Sequence, residues 1–291
     1  MSVLKNISFA GGDLRNVYMA NYFATHGFDV YTYGLSHDLL NNCHNIFSIE
    51  ELISTSRIVV FPIPVSKNGS QLNIGVHDNK VNIKMLPSLL TKKHIIFGGK
   101  FPNSIIKHCH DNEIPVYDFL KNESISVLNS IATAEGAIAK AIQLGDINLH
   151  KSKCLVLGYG KCGKTIAMKL KGLDAFVTVS ARNPIQLSNA YTDGFNNLQL
   201  KHLKENINHF NFIFNTIPNC ILTPSVLDNV NKNTIIIDIA SYPGGVDFDY
   251  ANSLNIKNEL YLGIPGKISP KSSAEILCQD ILQILDTTNS N

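Results

Sequence analysis

Three glycines at a fixed spacing, Gly158-x-Gly160-x-x-Gly163, carry the strongest chemical signal in this chain. They follow a short apolar run, Cys154 to Leu157, and precede a helical pattern from Thr165 to Leu170. Each glycine has its own mechanical task. Gly158 permits a tight turn, Gly160 lets backbone approach a pyrophosphate without a Cβ in the way, and Gly163 lets the helix pack close to the strand. The helix N-terminus then offers N–H groups and the positive end of its dipole to phosphates. A second strand, Phe176 to Val179, completes the order strand, glycines, helix, strand that a dinucleotide site requires. Tyr159, Lys161 and Cys162 belong to the same turn and count with the glycines as cofactor contacts. A thiol at that helix end is expected to have a mildly low pKa, muted by burial beneath the cofactor.

The end of the second strand indicates which dinucleotide. A site for NAD places Asp or Glu there to accept hydrogen bonds from the ribose hydroxyls. This chain has Ser180-Ala181-Arg182-Asn183 instead. Ser180 leaves room for a 2′-phosphate, Arg182 offers that phosphate a planar fork of donors, and Asn183 stands beside them. The expected cofactor is NADP. Arginine is scarce, with Arg15, Arg57 and Arg182 the only three. Arg57 stands just before an apolar strand, whereas Arg15 lies in a second glycine turn, Gly11-Gly12-Asp13.

These residues need elements to hold them. A length of 291 residues suits two domains. Strands are expected at Asn6 to Ala10, Phe28 to Tyr33, Ile58 to Phe61, His94 to Phe97 and Pro115 to Tyr117. After the fingerprint they recur at Phe212 to Asn215, Thr234 to Ile239 and Leu260 to Leu262. Strands alternating with helical stretches imply an α/β protein of two Rossmann-like, doubly wound parallel-sheet domains with a cleft between them. The expected division is residues 1–130 for a substrate-side domain and 131–271 for the NADP domain. A linking helix spans 132–145, with Thr133 as its N-cap and Gly145 at its end. Gly136 inside that helix is costly unless another backbone or the cofactor passes close by. A C-terminal helix, 272–291, has an apolar stripe at Ile276, Leu277, Ile281, Leu282 and Leu285 and packs back on the first domain. The substrate is expected in the cleft, against Gly12, Asp13 and Arg15.

Composition narrows the partners. A hydrophobic fraction of 44%, a charged fraction of 16% and a net charge of +2 describe an ordinary globular protein. They give no reason to expect nucleic acid or an acidic membrane surface. No apolar run approaches the roughly 20 residues that cross a bilayer, and Met1 to Gly11 lacks the pattern of a signal peptide. Six cysteines without C-x-x-C spacing read as reduced cytoplasmic thiols. His108-Cys109-His110 has no partner pair at ligand spacing and reads as a solvated helix end, so no metal is expected.

The motifs go further than a generic Rossmann pair. G-G-D-x-R at Gly11 to Arg15, T-A-E-G-A at Thr133 to Ala137 and L-G-Y-G-K-C-G at Leu157 to Gly163 resemble the family of dipicolinate synthase A subunits. So do N-T-I-P at Asn215 to Pro218, D-I-A-S-Y-P-G-G-V-D-F at Asp238 to Phe248 and G-I-P-G-K-I-S-P-K at Gly263 to Lys271. The likeness runs in order from about residue 5 to about residue 285. Ala132 stands where the family usually has proline, Lys100 where it commonly has an apolar residue, and Ser272-Ser273-Ala274-Glu275 is a looser version of the usual segment.

The resemblance implies an NADP-dependent oxidation of dihydrodipicolinate, drawn from the lysine pathway, to pyridine-2,6-dicarboxylate. It implies the cytoplasm of a sporulating mother cell and a flavoprotein-like partner, the B subunit, and leaves a homodimer open. Within that expectation Arg15 takes one substrate carboxylate with its fork, helped by the Gly11 and Gly12 amides. Gly12, Asp13 and Thr133 join it as substrate contacts. Glu135 orients the nicotinamide ribose, accepts the proton, or serves only as a helix-end charge. Asn215 and Thr216 touch the nicotinamide ribose, with Ile217 and Pro218 shaping the loop. Ala240 and Ser241 end the next strand, Asp247 caps the following turn or binds substrate, and Gly263 to Gly266 covers the nicotinamide amide. Lys100 and Ser66-Lys67-Asn68 are further carboxylate candidates. Two rival readings stand beside this one: a nucleotide-binding regulatory protein without turnover, and a dehydrogenase of the hydroxyacid or alanine type. The latter needs a histidine–carboxylate pair and a further arginine, and no arginine follows Arg182.

Overall fold

The computed structural model describes residues 5–75 and 80–289. The parts of the expected terminal elements at Met1 to Leu4 and Ser290 to Asn291 lie outside the described residues. The chain divides into two compact units: the chain up to Ser126 together with the chain from Ser269, and Val127–Ile268.

In the first unit the strands are β1 (Asn6–Ala10), β2 (Asp29–Tyr33), β3 (His44–Asn45), β4 (Ile58–Val60), β5 (Ile95–Gly98) and β6 (Val116–Asp118). They form one parallel sheet in the order β3-β2-β1-β4-β5-β6. Strands β4 and β5 are buried along their whole length, as a sheet covered on both faces demands. The helix Leu14–Thr25 is started by Asp13, whose carboxylate accepts from Arg15 N. The long helix Pro270–Asn289 belongs to this unit. Its Ala274, Leu277, Cys278, Ile281 and Leu285 repeat at helical spacing and share a core with Ile7, Phe9, Val17 and Met19.

The second unit repeats the plan with β7 (Lys153–Leu157), β8 (Phe176–Ala181), β9 (Asn196–Gln199), β10 (Phe212–Asn215), β11 (Ile235–Asp238) and β12 (Lys257–Leu260). Its parallel sheet runs β12-β11-β10-β7-β8-β9. Read from β9, this is the same order as in the first unit and the Rossmann order. Both expected sheets are therefore present. Three details differ from expectation. Strands β3 and β9 have no counterpart among the expected strands, because H-N and N-N-L-Q carry no apolar alternation. The last strand lies at Lys257–Leu260 rather than Leu260 to Leu262. The linking helix begins at Glu123, not near residue 132, and runs to Leu144. Asn122 caps it, accepting from Ser124 N at 2.9 Å and Ile125 N at 3.3 Å.

Candidate functional site

The second unit's order changes direction between β7 and β10, the place where open α/β sheets bind ligands beyond their carboxyl ends. The fingerprint lies there. Gly158 has φ +90 and its N–H donates to Ser180 O at 2.8 Å. A Cβ on it would meet Thr216 Oγ1 at 2.5 Å, because Thr216 reaches across to donate to Leu157 O at 2.8 Å. A Cβ on Gly163 would lie 2.2 Å from Gly158 O, so helix and turn approach as closely as glycine permits. Gly160 differs from both: a Cβ there meets nothing within 4 Å. Gly160 also starts the helix Lys161–Gly172 without a side-chain cap. Open space over an uncapped helix start suits a phosphate group.

The residues between the glycines have other tasks. The Tyr159 ring is buried against Phe195, and its hydroxyl donates to Asp193 Oδ2 at 2.7 Å. Lys164 pairs with the same oxygen at 2.9 Å. Burial and the neighbouring Asp193 push the Tyr159 phenol up. Tyr159 thus braces the turn through its side chain, and only its backbone faces the fingerprint. Lys161 is the first residue of the helix. The Cys162 thiol is pushed up by burial despite the pull of Lys161, which corrects the expectation of a low-pKa thiol.

At the end of β8, Ser180 is fully buried and its Oγ has no hydrogen-bond partner among the described residues. The serine therefore makes room within the sheet rather than at its surface. Arg182 and Asn183 are exposed beyond it, and Asn183 Oδ1 caps the helix Pro184–Thr192 by accepting from Ile185 N at 2.9 Å.

Asn215 is corrected. It is fully buried, donates to Asp238 Oδ1 at 3.0 Å and Ile217 O at 3.1 Å, and accepts from Ile217 N at 3.1 Å. With both ends of its carboxamide engaged, it braces the loop instead of offering itself to a ribose. Asp238, also fully buried, accepts from Ala240 N at 2.8 Å and Gly245 N at 2.6 Å as well. Burial raises its carboxyl, and these three N–H donors pull against that rise. A Cβ on Gly245 would be 2.5 Å from both Asn215 Nδ2 and Ile217 O, so only glycine lets the two loops meet. Around this clamp Thr216 and Ile217 are half-buried, Ala240 is buried, and Pro218, Ser241 and Gly263 are exposed. Asp247 caps the helix Phe248–Ser253 through Tyr250 N.

Two residues of the linking helix are also corrected. Thr133 lies inside the helix, not at its start, and its hydroxyl donates to Asn129 O at 2.9 Å. Glu135 is likewise internal, so it is no helix-end charge. It pairs with Lys169 at 2.8 Å, about 12 Å of helix away from the fingerprint end. The structure does not bring Glu135 to the glycine turn. The close approach at Gly136 comes from Ile264, whose Cγ2 would sit 2.2 Å from a Cβ there.

In the first unit, Arg15 is buried and its guanidinium edge is held by Asp13, with Nε 3.0 Å from Oδ1 and Nη2 2.7 Å from Oδ2. Nη2 also donates to Ile63 O at 2.7 Å. Burial raises Asp13, but the hydrogen bonds and charge of Arg15 outweigh it and hold the carboxyl below its usual range. Gly11 and Gly12 both have positive φ, +72 and +125, which forms the turn before this pair. Ser66 and Asn68 close a local exposed turn on Gly69 N, Ser70 N and Gln71 N. Lys100 is exposed on a separate turn at φ +55. One residue escapes sequence reading: Asn16, 2% exposed, whose place directly after G-G-D-x-R is the available signal.

Comparison with known proteins agrees with this geometry. The family model for the N-terminal domain of the dipicolinate synthase A subunit matches residues 6–120. The model for the S-adenosyl-L-homocysteine hydrolase NAD binding domain matches residues 131–261. The dipicolinate synthase A subunit of Bacillus subtilis (strain 168) is 29% identical over 286 residues, covering 96% of this chain and 95% of that protein. The crystal structure of the Bacillus halodurans A subunit superposes with a TM-score of 0.87 at 26% identity, covering 97% of each chain. That of the Bacillus subtilis enzyme's A chain gives 0.87 at 28% identity, covering 100% of this chain and 98% of that one. Fold and fingerprint define a dehydrogenase-like protein with a nicotinamide dinucleotide-binding domain. Within that class the chain resembles the dipicolinate synthase A subunits over nearly its whole length.

Proposed function

We propose that this chain is the oxidising component of a dipicolinate synthase and carries dihydrodipicolinate to pyridine-2,6-dicarboxylate with NADP. The observation that supports it most is the whole-length likeness to dipicolinate synthase A subunits, joined to a fingerprint turn left open at Gly160. NADP supplies the hydride acceptor when bound. The dihydropyridine ring gives up a hydride and releases a proton to solvent, and aromaticity supplies much of the driving force. The chain's task is then binding and orientation. The backbone of Gly158, Gly160 and Gly163, with Lys161 and Cys162 beside them, holds the pyrophosphate. Arg182 and Asn183 meet the 2′-phosphate at a strand end that has no acid. Thr216, Ile217, Pro218, Ala240, Ser241 and Gly263 surround the nicotinamide end. Arg15, oriented by Asp13 along one edge, keeps Nη1 outside its contacts with the described residues and turns it to a substrate carboxylate.

This reading carries with it a partner, the B subunit, and a setting, the mother cell of a sporulating bacterium. It is tested by following NADPH formation from fresh dihydrodipicolinate, with and without the B subunit. Wild type turns over with NADP in preference to NAD. Arg182→Ala loses that preference by about tenfold or more. Arg15→Ala and Arg15→Lys lose turnover while NADP affinity stays near wild type. Clear NADP binding without turnover in either assay sinks the reading and leaves a nucleotide-binding regulatory protein.

A further inference from the structure

The two units share a strand order but differ in what lies over their first turn. In the second unit the space at Gly160 is open. In the first, the chain itself covers the turn. A Cβ on Gly11 would lie 2.9 Å from Asn73 O, one on Gly34 2.6 Å from Ile74 Cγ2, and one on Gly75 2.1 Å from Gly12 O. Gly11 follows β1 and Gly34 follows β2, the two strand ends where a Rossmann unit carries pyrophosphate and ribose. The segment Asn73–Gly75 therefore occupies the room that a dinucleotide would need. It is tied in place: Asn73 N donates to Val65 O at 2.9 Å and Asn73 Nδ2 to Pro64 O at 3.2 Å.

What this leaves is the first turn of the helix Leu14–Thr25. Arg15 is buried there, and so is Asn16, whose Nδ2 has no hydrogen-bond partner among the described residues. A buried amide donor left unpaired is costly, and a structure that keeps one invites an explanation. Asn16 is the third helical residue, and helical side chains lean toward the N-terminus. A Cβ on Gly12 would lie 2.1 Å from Asn16 Oδ1, so the carboxamide rests against the glycine turn itself. Its terminal torsion is soft, so the donor end can turn toward an incoming acceptor.

We propose that this turn is a small-carboxylate site closed to nucleotides: Asn16 Nδ2 and Arg15 Nη1 receive one carboxylate, and Asn73–Gly75 bars a dinucleotide. The inference rests on the reading that the first unit takes the substrate, and names the donor and the class of acid it recognises. Asp13 stays on the opposite guanidinium edge, fixing its direction.

The test is calorimetric titration of the full chain with NADP and, separately, with pyridine-2,6-dicarboxylate, pyruvate, malate and oxalate. The expected NADP stoichiometry is one per chain. Asn16→Asp, which sets a like charge against the ligand, weakens dicarboxylate binding by about tenfold or more, and Asn16→Ala by somewhat less. Both variants keep wild-type NADP affinity, and a thermal melt establishes that they fold. Two NADP per chain, or dicarboxylate binding indifferent to both substitutions, overturns the inference while the synthase reading stands. Binding of another acid in an Asn16-dependent way, without the pyridine dicarboxylate, upholds the site and overturns the substrate. Binding of none of the four acids overturns both.

Discussion

An alanine at Gly160 places its Cβ in open space, whereas one at Gly163 puts it 2.2 Å from Gly158 O, a backbone atom that cannot swing aside. The two substitutions should therefore separate stability from binding. Gly163→Ala costs about 1–3 kcal/mol of stability, the usual penalty of overpacking. Gly160→Ala changes only a helix-start residue, which costs about 1 kcal/mol or less, yet it weakens binding of the nicotinamide dinucleotide by about tenfold or more. Thermal melts and a cofactor titration on both variants check this, and equal stability losses would contradict the open-turn reading. Residue roles of this kind are legible because the spacing of glycines is itself geometry. Roles that depend on distant partners are not. Asn215 looks like a ligand in N-T-I-P, but its partner Asp238 stands 23 positions further on and turns it into a brace. Tyr159 looks like part of the cofactor turn until Asp193, 34 positions on, claims its hydroxyl.

At the scale of elements, apolar strands are legible and polar ones are not. I-I-I-D at β11 announces a strand buried on both faces, while N-N-L-Q at β9 and K-N-E-L at β12 have no fully buried residue to announce anything. The linking helix reads too short because Thr133 resembles a cap. Asn122 does that work instead and also donates to Asp280 Oδ1 on the C-terminal helix. The helix makes a sharp prediction at Gly136. Replacing a helical glycine with alanine ordinarily gains about 1 kcal/mol. Here the new Cβ would meet Ile264 Cγ2 at 2.2 Å and Ile268 Cγ1 at 2.9 Å. Ile264 is stiff at χ1 and nearly fully buried, so the clash, about 1–3 kcal/mol, wins. Gly136→Ala should destabilise. Ile264→Ala should lose stability alone for want of packing, and the double variant should be more stable than the two single losses predict. Additive losses in a double-mutant cycle would mean the helices part without strain.

For the whole molecule, the α/β alternation is enough to read two Rossmann-like sheets, and a single open glycine turn is enough to choose the nucleotide-binding one. The ionisation of the half-exposed Asp13 and the buried Asp238 is beyond reach, because it depends on neighbours that only the fold supplies. Asp13 and Asp238 should respond to pH with opposite sign. Arg15 holds the Asp13 carboxyl below the ordinary 3.8 against the opposing effect of burial. Its contribution to stability is thus complete above that value and lost as pH falls through the folded pKa. Burial raises Asp238 above 3.8, so its contribution is present below that value and lost as pH rises through the elevated one. Asn replaces Asp at either position without titrating, so other groups cancel when each variant is compared with wild type. Stability measured between about pH 3 and pH 8 should show the cost of Asp13→Asn greatest near neutrality and shrinking toward acid. The cost of Asp238→Asn should be greatest in acid and shrink as pH rises. If the second slope instead matches the first, the three N–H donors around Asp238 outweigh its burial, and the carboxylate is a permanent charge clamping the loops of the second unit.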